Sequence, residues 1–277
     1  MKLDYFLPRP DMAEYVRAYY RFGTPGAAVQ PLCAELGNIR IMLGGGGRIR
    51  LPGGAVETIT KAFLIGPTMG AYAIECDAGT DVFGIGIKPR GWRALLGVDA
   101  SETTNKVIDL TAFLGGKSVS VIDEITNARD LPSMAYAADR FLARLADKQK
   151  KRRCQYPEAL EHWLVEPNDL DLDRLLAMMD VSQRQTDRLA LKFFGASPKR
   201  LQRKYRSLRA ADRIRNGVSH WRDAAGQSFY DQPHFIREFS GFIGVTPGQF
   251  MTKEAEIIRE IQSRRIIRNK PLPLSAV

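Results

Sequence analysis

Residues 182–198, SQRQTDRLALKFFGASP, and residues 231–247, DQPHFIREFSGFIGVTP, align without a gap, and they decide the fold of the last third of the chain. The aligned positions that share a residue or a chemical class are Ser182/Asp231, Gln183/Gln232, Arg188/Arg237, Phe193/Phe242, Gly195/Gly244, Ser197/Thr246 and Pro198/Pro247. An internal repeat indicates a duplicated structural unit. The two segments are therefore expected to have the same structure.

Each segment carries the start and stop signals of one helix. Ser182 and Asp231 can accept hydrogen bonds from the first N–H groups of a helix, as N-cap residues do. Gly195 and Gly244 are placed to end that helix in a left-handed conformation, and the proline three residues later prevents its continuation. The sequence predicts two helices of about three turns each.

A shorter apolar run stands in front of each predicted helix. Leu172, Leu175, Leu176 and Met179 recur at helical spacing just before the first helix, and the weaker WRDAAGQSF at 221–229 precedes the second. This pattern of helix, tight turn and helix is that of the helix-turn-helix motif, whose second helix enters the major groove of DNA. The last third of the chain is predicted to contain two such units.

The second helix of each unit carries polar side chains that can form hydrogen bonds with the edges of base pairs. In the major groove, Arg can donate two hydrogen bonds to guanine, and Gln can pair with adenine. With Leu189 and Phe193 facing inward, the residues predicted to bind DNA are Gln183, Arg184, Asp187 and Arg188 in the first unit and Gln232, His234 and Arg237 in the second. The alternative is two amphipathic helices of an ordinary bundle, which would give no reason for duplicated caps and duplicated exposed Gln and Arg.

The net charge of +10 is concentrated around the first unit. Residues 182–215 contain 11 Lys and Arg but 2 Asp and Glu. A local excess of this size is typical of a surface that binds a polyanion. The residues predicted to contact phosphates are Lys199, Arg200, Arg203 and Lys204. The alternative is that their helix is a spacer between the two units.

The first 110 residues are predicted to be mainly β-structure. Short apolar or alternating runs, separated by Gly and Pro, are NIRIML (38–43), GGRIRLPG (46–53), KAFLIGP (61–67), AYAIECDAG (71–79) and DVFGIGIKP (81–89). Helices are expected at 11–22 and 91–98. The four glycines at 44–47 lack the surroundings of a phosphate loop and are predicted to form a hairpin turn.

The predicted fold class is α+β with two domains. A β-rich, barrel-like sensor or dimerisation domain is placed at 1–150, followed by a linker at 151–166. The all-α domain with two helix-turn-helix units is placed at 167–252, and a final helix and tail at 253–277.

The motif S-x-R-x-x-x-R-x-x-x-x-F-x-G-x-S-P-K, followed by F-Y-D-Q-P-H-F-I-R-E-F and G-V-T-P-G-Q-F, resembles the DNA-binding domain of the AraC/XylS family of transcriptional regulators. The resemblance covers about residues 170–251. It implies that the second helices of the two units lie in successive major-groove segments, roughly 34 Å apart. By this resemblance, Arg184, Asp187 and Arg188 read one segment, and Gln232, His234 and Arg237 read the next.

The amino-terminal motifs L-P-R-P-x-M-A-x-Y-V-R-x-Y-Y and V-F-G-I-G-I-K-P-x-G resemble the sensor-like domain that precedes this module in one subgroup of the family. Such domains bind an effector or mediate dimerisation. The resemblance therefore implies a double-stranded DNA operator as partner, with a small-molecule effector, RNA polymerase and a second copy of the chain as further candidates.

Other classes of protein find little support in the sequence. No run of about 18 apolar residues is present and the start lacks the apolar run of a secretory signal, so a cytoplasmic location without a membrane partner is expected. No nucleophile and base arrangement is found, so the chain is not predicted to be an enzyme. The alternatives are a small-molecule activity within 1–150 and a ligand-binding adaptor without DNA contact.

No metal or cofactor is predicted. The three histidines, at positions 162, 220 and 234, have no second ligand at metal-binding spacing. Cys33, Cys76 and Cys154 are widely spaced and are expected to be buried or idle thiols, with a redox-sensing cysteine as the alternative.

Overall fold

The computed structural model describes residues 2–148, 156–166, 170–226, 229–251, 266–267 and 270–271. The strands are β1 (Lys2–Phe6), β2 (Val16–Thr24), β3 (Ala28–Leu32), β4 (Gly37–Gly44), β5 (Gly47–Arg50), β6 (Val56–Thr58), β7 (Ala62–Ile65), β8 (Tyr72–Cys76), β9 (Thr80–Ile87), β10 (Val107–Asp109), β11 (Ile266–Ile267) and β12 (Lys270–Pro271). The helices are α1 (Pro89–Gly91), α2 (Ala100–Thr103), α3 (Leu110–Leu114), α4 (Val119–Thr126), α5 (Leu131–Lys148), α6 (Tyr156–Val165), α7 (Leu172–Met179), α8 (Gln183–Phe194), α9 (Pro198–Arg215), α10 (Trp221–Ala225), α11 (Gln232–Ile243) and α12 (Pro247–Phe250). A π-helical turn, Trp92–Leu96, follows α1, and a 3-10 turn, Gly115–Ser118, follows α3.

The first ten strands form two antiparallel sheets. Six strands pair in the order β1-β2-β9-β4-β7-β10, and four pair in the order β3-β8-β5-β6. Met42, Phe63 and Ile65 of the larger sheet pack against Ile49 and Tyr72 of the smaller one. The predicted α+β class with a β-rich amino-terminal domain is confirmed, but the β part is two packed sheets and not a closed barrel.

Helices α4 and α5 cover the other face of the six-stranded sheet. Tyr19, Ile39 and Phe83 of the sheet share one buried cluster with Ile125 of α4 and Phe141 of α5. Removal of such side chains from water is the main favourable term in folding, at roughly 25 cal/mol per Å² of apolar surface. The six-stranded sheet is therefore buried on both faces.

Strand β2 replaces the helix that was predicted over 11–22. Residues 11–15 form a turn, and β2 pairs with β1 on one side and β9 on the other. Tyr19 packs with the helices, whereas the next residue, Tyr20, lines the space between the sheets. Because both faces of β2 are covered, its apolar residues do not alternate, and the helical interpretation of the pattern is wrong.

The four glycines at 44–47 form a corner between the sheets. β4 ends at Gly44 in the six-stranded sheet, and β5 begins at Gly47 in the four-stranded sheet. Gly45 has φ of +67°, and a Cβ there would lie 2.6 Å from the Cα of Thr80. Only glycine fits this turn. The predicted hairpin is wrong, because β4 and β5 pair with other strands and not with each other.

The helical domain contains the two predicted helix-turn-helix units. α7 and α8 form the first unit, α10 and α11 form the second, and α9 joins them. Leu175 and Leu189 of the first unit pack with Trp163 of α6, which lies in the predicted linker. Phe239 of α11 packs with Leu208 of α9.

Most of the helix predicted beyond residue 252 lies outside the described residues. Its described residues Ile266 and Ile267 form β11, which pairs antiparallel with β12. The helix prediction is wrong at these two positions, where the β-branched side chains favour an extended backbone.

Candidate functional site

The second helix of the first unit begins and ends at the predicted caps. The Ser182 side chain accepts a hydrogen bond from the Gln185 N–H at 3.3 Å. Gly195 ends α8 with φ of +77° and donates its N–H to the Leu191 carbonyl. These contacts satisfy backbone groups that a helix end would otherwise leave without a partner.

The second unit repeats this construction. The Asp231 side chain accepts from the His234 N–H at 2.7 Å, and Gly244 ends α11 with φ of +94°. α8 and α11 both contain 12 residues. After each helix, Ser197 and Thr246 are the N-caps of the helices that begin at the two prolines. The repeat in the sequence is therefore a repeat in structure.

The seven predicted DNA-binding side chains lie on α8 and α11. Leu189 and Phe193 are buried beneath the first set, and Phe235 and Phe239 beneath the second. The exposed members are Gln183, Arg184, Arg188, Gln232 and Arg237, and the half-buried ones are Asp187 and His234.

His234 has contacts of its own at the start of α11. Its ring packs edge-on against Phe229, with 5.7 Å between ring centroids. Its Nδ1 accepts from the Tyr230 N–H at 3.4 Å. These contacts leave Nε2 as the ring nitrogen for a partner, since Nδ1 is already an acceptor.

The four predicted phosphate contacts on α9 have different surroundings. Lys199 is exposed in the first turn. Arg200 donates from Nη2 to the Met69 carbonyl at 2.5 Å and lies 5.1 Å from the ring centroid of Phe242. Arg203 donates from Nε to Glu238 of α11 at 2.7 Å. Arg200 and Arg203 thus hold α9 against the amino-terminal domain and α11, respectively.

Lys204 requires a correction to the sequence prediction. Its side chain is 0% exposed, so in this structure it cannot contact a phosphate. Its Nζ donates to the Glu35 carbonyl at 2.8 Å and the Thr68 carbonyl at 3.0 Å, both in the amino-terminal domain. Burial lowers the pKa of Lys204 to about 7. Lys204 belongs to the contact between the two domains.

Lys204→Met is expected to change how stability depends on pH. The pKa of Lys204 falls from its usual 10.5 to about 7 in the folded chain, so between these values the unfolded chain binds a proton that the folded chain does not. The lysine therefore contributes stability that increases as pH rises through this window. The difference in unfolding free energy, wild type minus variant, should increase with pH in urea titrations. A difference that stayed constant or decreased with pH would contradict the lowered pKa of Lys204. Lys199→Met is the control for the loss of a lysine.

Backbone groups also join the two domains. The Ala34 N–H donates to the Phe242 carbonyl at 2.7 Å, and the Ala71 N–H donates to the Gly241 carbonyl at 2.8 Å. In the first unit, Thr104 Oγ1 donates to the Gly195 carbonyl at 2.9 Å. The last carbonyls of a helix have no partner within it. The amino-terminal domain thus satisfies carbonyls at the ends of both α8 and α11.

A cavity lies between the two sheets of the amino-terminal domain. Its volume is about 70 Å³. Most of its wall is apolar, with Phe22, Met42, Phe63, Ile74 and Val82 among the lining residues. Like ligand pockets, it combines an apolar wall with a few polar groups, although ligand pockets are typically larger.

Arg40 and Glu35 form the polar end of this cavity. Arg40 Nη2 donates to Glu35 Oε1 at 3.1 Å and to the Tyr72 hydroxyl at 2.8 Å, and its Nε donates to the Tyr20 hydroxyl at 2.8 Å. Asn38 Nδ2 donates to Glu35 Oε2 at 3.0 Å. Burial raises the pKa of Glu35 to about 7, although Arg40 acts in the opposite direction.

Sequence reasoning did not identify Arg40 and Glu35 as site residues. The available signal was a single Arg in the middle of the apolar run NIRIML at 38–43. A charged residue in a buried strand needs a partner and often marks a functional site. The partner could not be found from the sequence, because Glu35 lies before β4 and the tyrosines are on β2 and β8.

The described residues contain no group of three or more metal-ligating side chains. No helix among them is long and apolar enough to cross a membrane. Cys33 and Cys76 are buried and are not joined in a disulfide, and burial raises the pKa of the Cys76 thiol. Cys154 lies outside the described residues.

Comparison with protein families gives a match in the amino-terminal domain. Residues 4–109 match the model of a family described as a domain of unknown function, DUF6597. None of the curated proteins compared matches the chain.

Solved structures similar to most of the chain include two of ToxT from Vibrio cholerae. The structure at 1.65 Å resolution has a TM-score of 0.47 and 12% identity, covering 84% of this chain and 96% of that chain. The unsaturated fatty acid-bound form from strain SCE256 has a TM-score of 0.49 and 13% identity, covering 84% and 95%. CuxR, an AraC-like transcriptional activator, has a TM-score of 0.30 and 12% identity, covering 72% and 90%.

Proposed function

We propose that the chain is a cytoplasmic, sequence-specific DNA-binding regulator of transcription, without catalytic activity, that reads two successive segments of the major groove. The observation that carries this proposal is the duplication of one exposed surface. α8 and α11 have the same length and equivalent caps, and each buries its apolar face while exposing Gln and Arg on the other. A bundle helix would need no such repetition.

The chemistry of the two surfaces supports base recognition. Arg188 and Arg237 are exposed at equivalent positions, and each can donate two hydrogen bonds to guanine O6 and N7. Gln183 and Gln232, exposed at the start of the two helices, have the side chain that pairs with adenine. The surrounding excess of basic residues, 11 against 2 at 182–215, favours binding to the phosphate backbone.

The amino-terminal domain has the features of a sensor. It contains a largely apolar cavity with a charged pair at one end, and it contacts the carboxy ends of both reading helices. A molecule bound in that cavity could change how the two units are held. The proposal includes an effector for this domain, with RNA polymerase and a second copy of the chain as further partners.

Selection of bound fragments from random double-stranded DNA tests the proposed function. The purified chain is expected to enrich a motif with two blocks about one helical turn apart, roughly 34 Å, because each unit occupies one groove segment. The enrichment should persist when the selection is repeated at higher salt, since base contacts depend less on salt than phosphate contacts do. If the chain instead bound DNA without enriching a motif, and this binding were lost at higher salt, the basic surface would be only a general electrostatic patch.

A further inference from the structure

We propose that a second cavity, at the junction of the two domains, binds a small apolar amino acid as a zwitterion, with its carboxylate at Arg17 and its ammonium group at Glu161. The volume of this cavity is about 290 Å³. That value is close to the lower end of the range for ligand pockets, roughly 300–1,000 Å³. The junction cavity shares no lining residue with the cavity between the sheets, and the proposal does not depend on the proposed function.

The two domains contribute opposite charges to the wall of the junction cavity. Arg17 of β2 and Lys88, which precedes α1, belong to the amino-terminal domain, whereas Glu158 and Glu161 belong to α6. A simple anion would be attracted by the cations but repelled by the carboxylates, and a simple amine would meet the reverse. A molecule that carries both charges matches the two sides of the cavity.

Two of these four charged groups already have partners within the protein. Lys88 Nζ donates to a backbone carbonyl at 2.5 Å, and Glu158 forms an ion pair with Arg90. In contrast, Arg17 Nε and Glu161 Oε1 are buried, and no described residue forms a hydrogen bond with either atom. A buried polar group without a partner is costly, so nearly all such groups are hydrogen-bonded. Arg17 and Glu161 are therefore the groups that a ligand would satisfy.

The ionisation of Arg17 and Glu161 reflects the same environment. Burial raises the pKa of Glu161, although Arg17 acts in the opposite direction. Burial lowers the pKa of Arg17, and the charge of Glu161 opposes this shift. A carboxylate can accept two parallel hydrogen bonds from a guanidinium, and an ammonium group can donate to a carboxylate. A zwitterion satisfies both groups at once, whereas a ligand with one charge leaves the other group without a partner.

The rest of the lining favours an aliphatic or aromatic side chain on the ligand. Of the two remaining polar residues, Tyr205 is buried and His162 is exposed. A strongly polar side chain would lose its hydration without gaining enough hydrogen bonds in return. The apolar lining residues are Leu36, Pro89, Leu164, Val165 and Phe194.

The binding is tested with the full chain by calorimetry. The probes are L-valine, L-leucine and L-phenylalanine. Each is compared with the acid that lacks its amino group and with the amine that lacks its carboxylate, which for leucine are isocaproate and isoamylamine. At least one amino acid is expected to bind saturably and about tenfold or more tightly than both of its analogues, because a hydrogen bond to a charged group contributes at least that much. If none of the three amino acids met this condition, the proposal would be wrong.

Two variants assign the two ends of the ligand. Glu161→Gln should remove the advantage of the amino acid over the acid analogue and keep its advantage over the amine, because only the partner of the ammonium group is lost. Arg17→Met should have the reverse effect. Glu57→Gln, exposed on β6, is the matched control and should bind like the wild type.

The test remains decisive if Arg17→Met does not fold. Glu161→Gln keeps the shape of the side chain and removes a buried charge that has no hydrogen-bond partner on Oε1, so this variant is expected to fold. If Glu161→Gln still preferred the amino acid over the acid analogue as strongly as the wild type does, the ligand would bind elsewhere and the assignment to the junction cavity would be wrong.

Discussion

Phe239→Ala is expected to lower the free energy of unfolding by about 3–5 kcal/mol, the usual cost of removing a buried phenyl ring. Phe239 is 0% exposed and lies at the centre of the second unit. Its ring centroid is 5.6 Å from that of Phe235 and 5.7 Å from that of Phe250, both in edge-on geometry. Alanine would leave a cavity between the rings of Phe235 and Phe250, and α9 is held in place by its hydrogen bonds to the amino-terminal domain.

Urea unfolding of the full chain, followed by fluorescence, measures this loss. Tyr230→Ala is the matched control, because that ring is 94% exposed in the same unit and its removal should change stability by less than about 0.5 kcal/mol. A loss below about 1 kcal/mol for Phe239→Ala would show that the aromatic core of the second unit is not packed as described. In the DNA selection, the same variant should retain the block read by the first unit and lose the second.

Arg188→Ala is expected to cost about 1–3 kcal/mol of binding to the preferred DNA site and to relax the preference at one base pair. Arg188 is exposed on α8, one turn after Arg184. The substitution should therefore leave folding intact. Arg237→Ala should have the equivalent effect in the other block of the motif.

Competition binding against a set of singly substituted sites measures the change. Lys199→Ala is the control: as a predicted phosphate contact it should weaken all sites about equally and leave the preference unchanged. If Arg188→Ala ranked the substituted DNA sites in the same order of affinity as the wild type, α8 would not lie in the groove as proposed.

The start, length and end of α8 and α11 could be predicted because the signals in the sequence are local. The Ser182 and Asp231 caps and the Gly195 and Gly244 ends each act within four residues of their position. The outward position of Arg188 also followed, because the helical period decides the exposed face once the apolar face is known.

The roles of the cations on α9 could not be predicted in this way. Lys199, Arg200, Arg203 and Lys204 look alike as a basic run, but they have four different environments. Which of them faces solvent depends on what α9 packs against. The partners of these cations are Glu35, Thr68 and Met69 of the other domain and Glu238 of α11, all far away in sequence.

In the amino-terminal domain, too, local features could be predicted from the sequence and long-range contacts could not. Short strands were predicted where apolar runs are separated by Gly and Pro, and β4, β5, β7, β8 and β9 lie there. β2 was mistaken for a helix, since its pattern reflects burial on both faces. The Gly corner at 44–47 was mistaken for a hairpin, since the pairing of strands depends on the whole sheet.

The sequence by itself determined two things about this protein: that its last third is a duplicated helix-turn-helix, and which apolar face of α8 and of α11 is buried. Caps and helical periodicity act between neighbours in the chain, so no knowledge of the rest of the molecule was needed. Only the tertiary structure decided that Lys204 is buried against the Glu35 carbonyl and that Arg40 and Glu35 meet at the end of a cavity. Such contacts join residues from different elements, and the packing of the two sheets and the two domains alone brings them together.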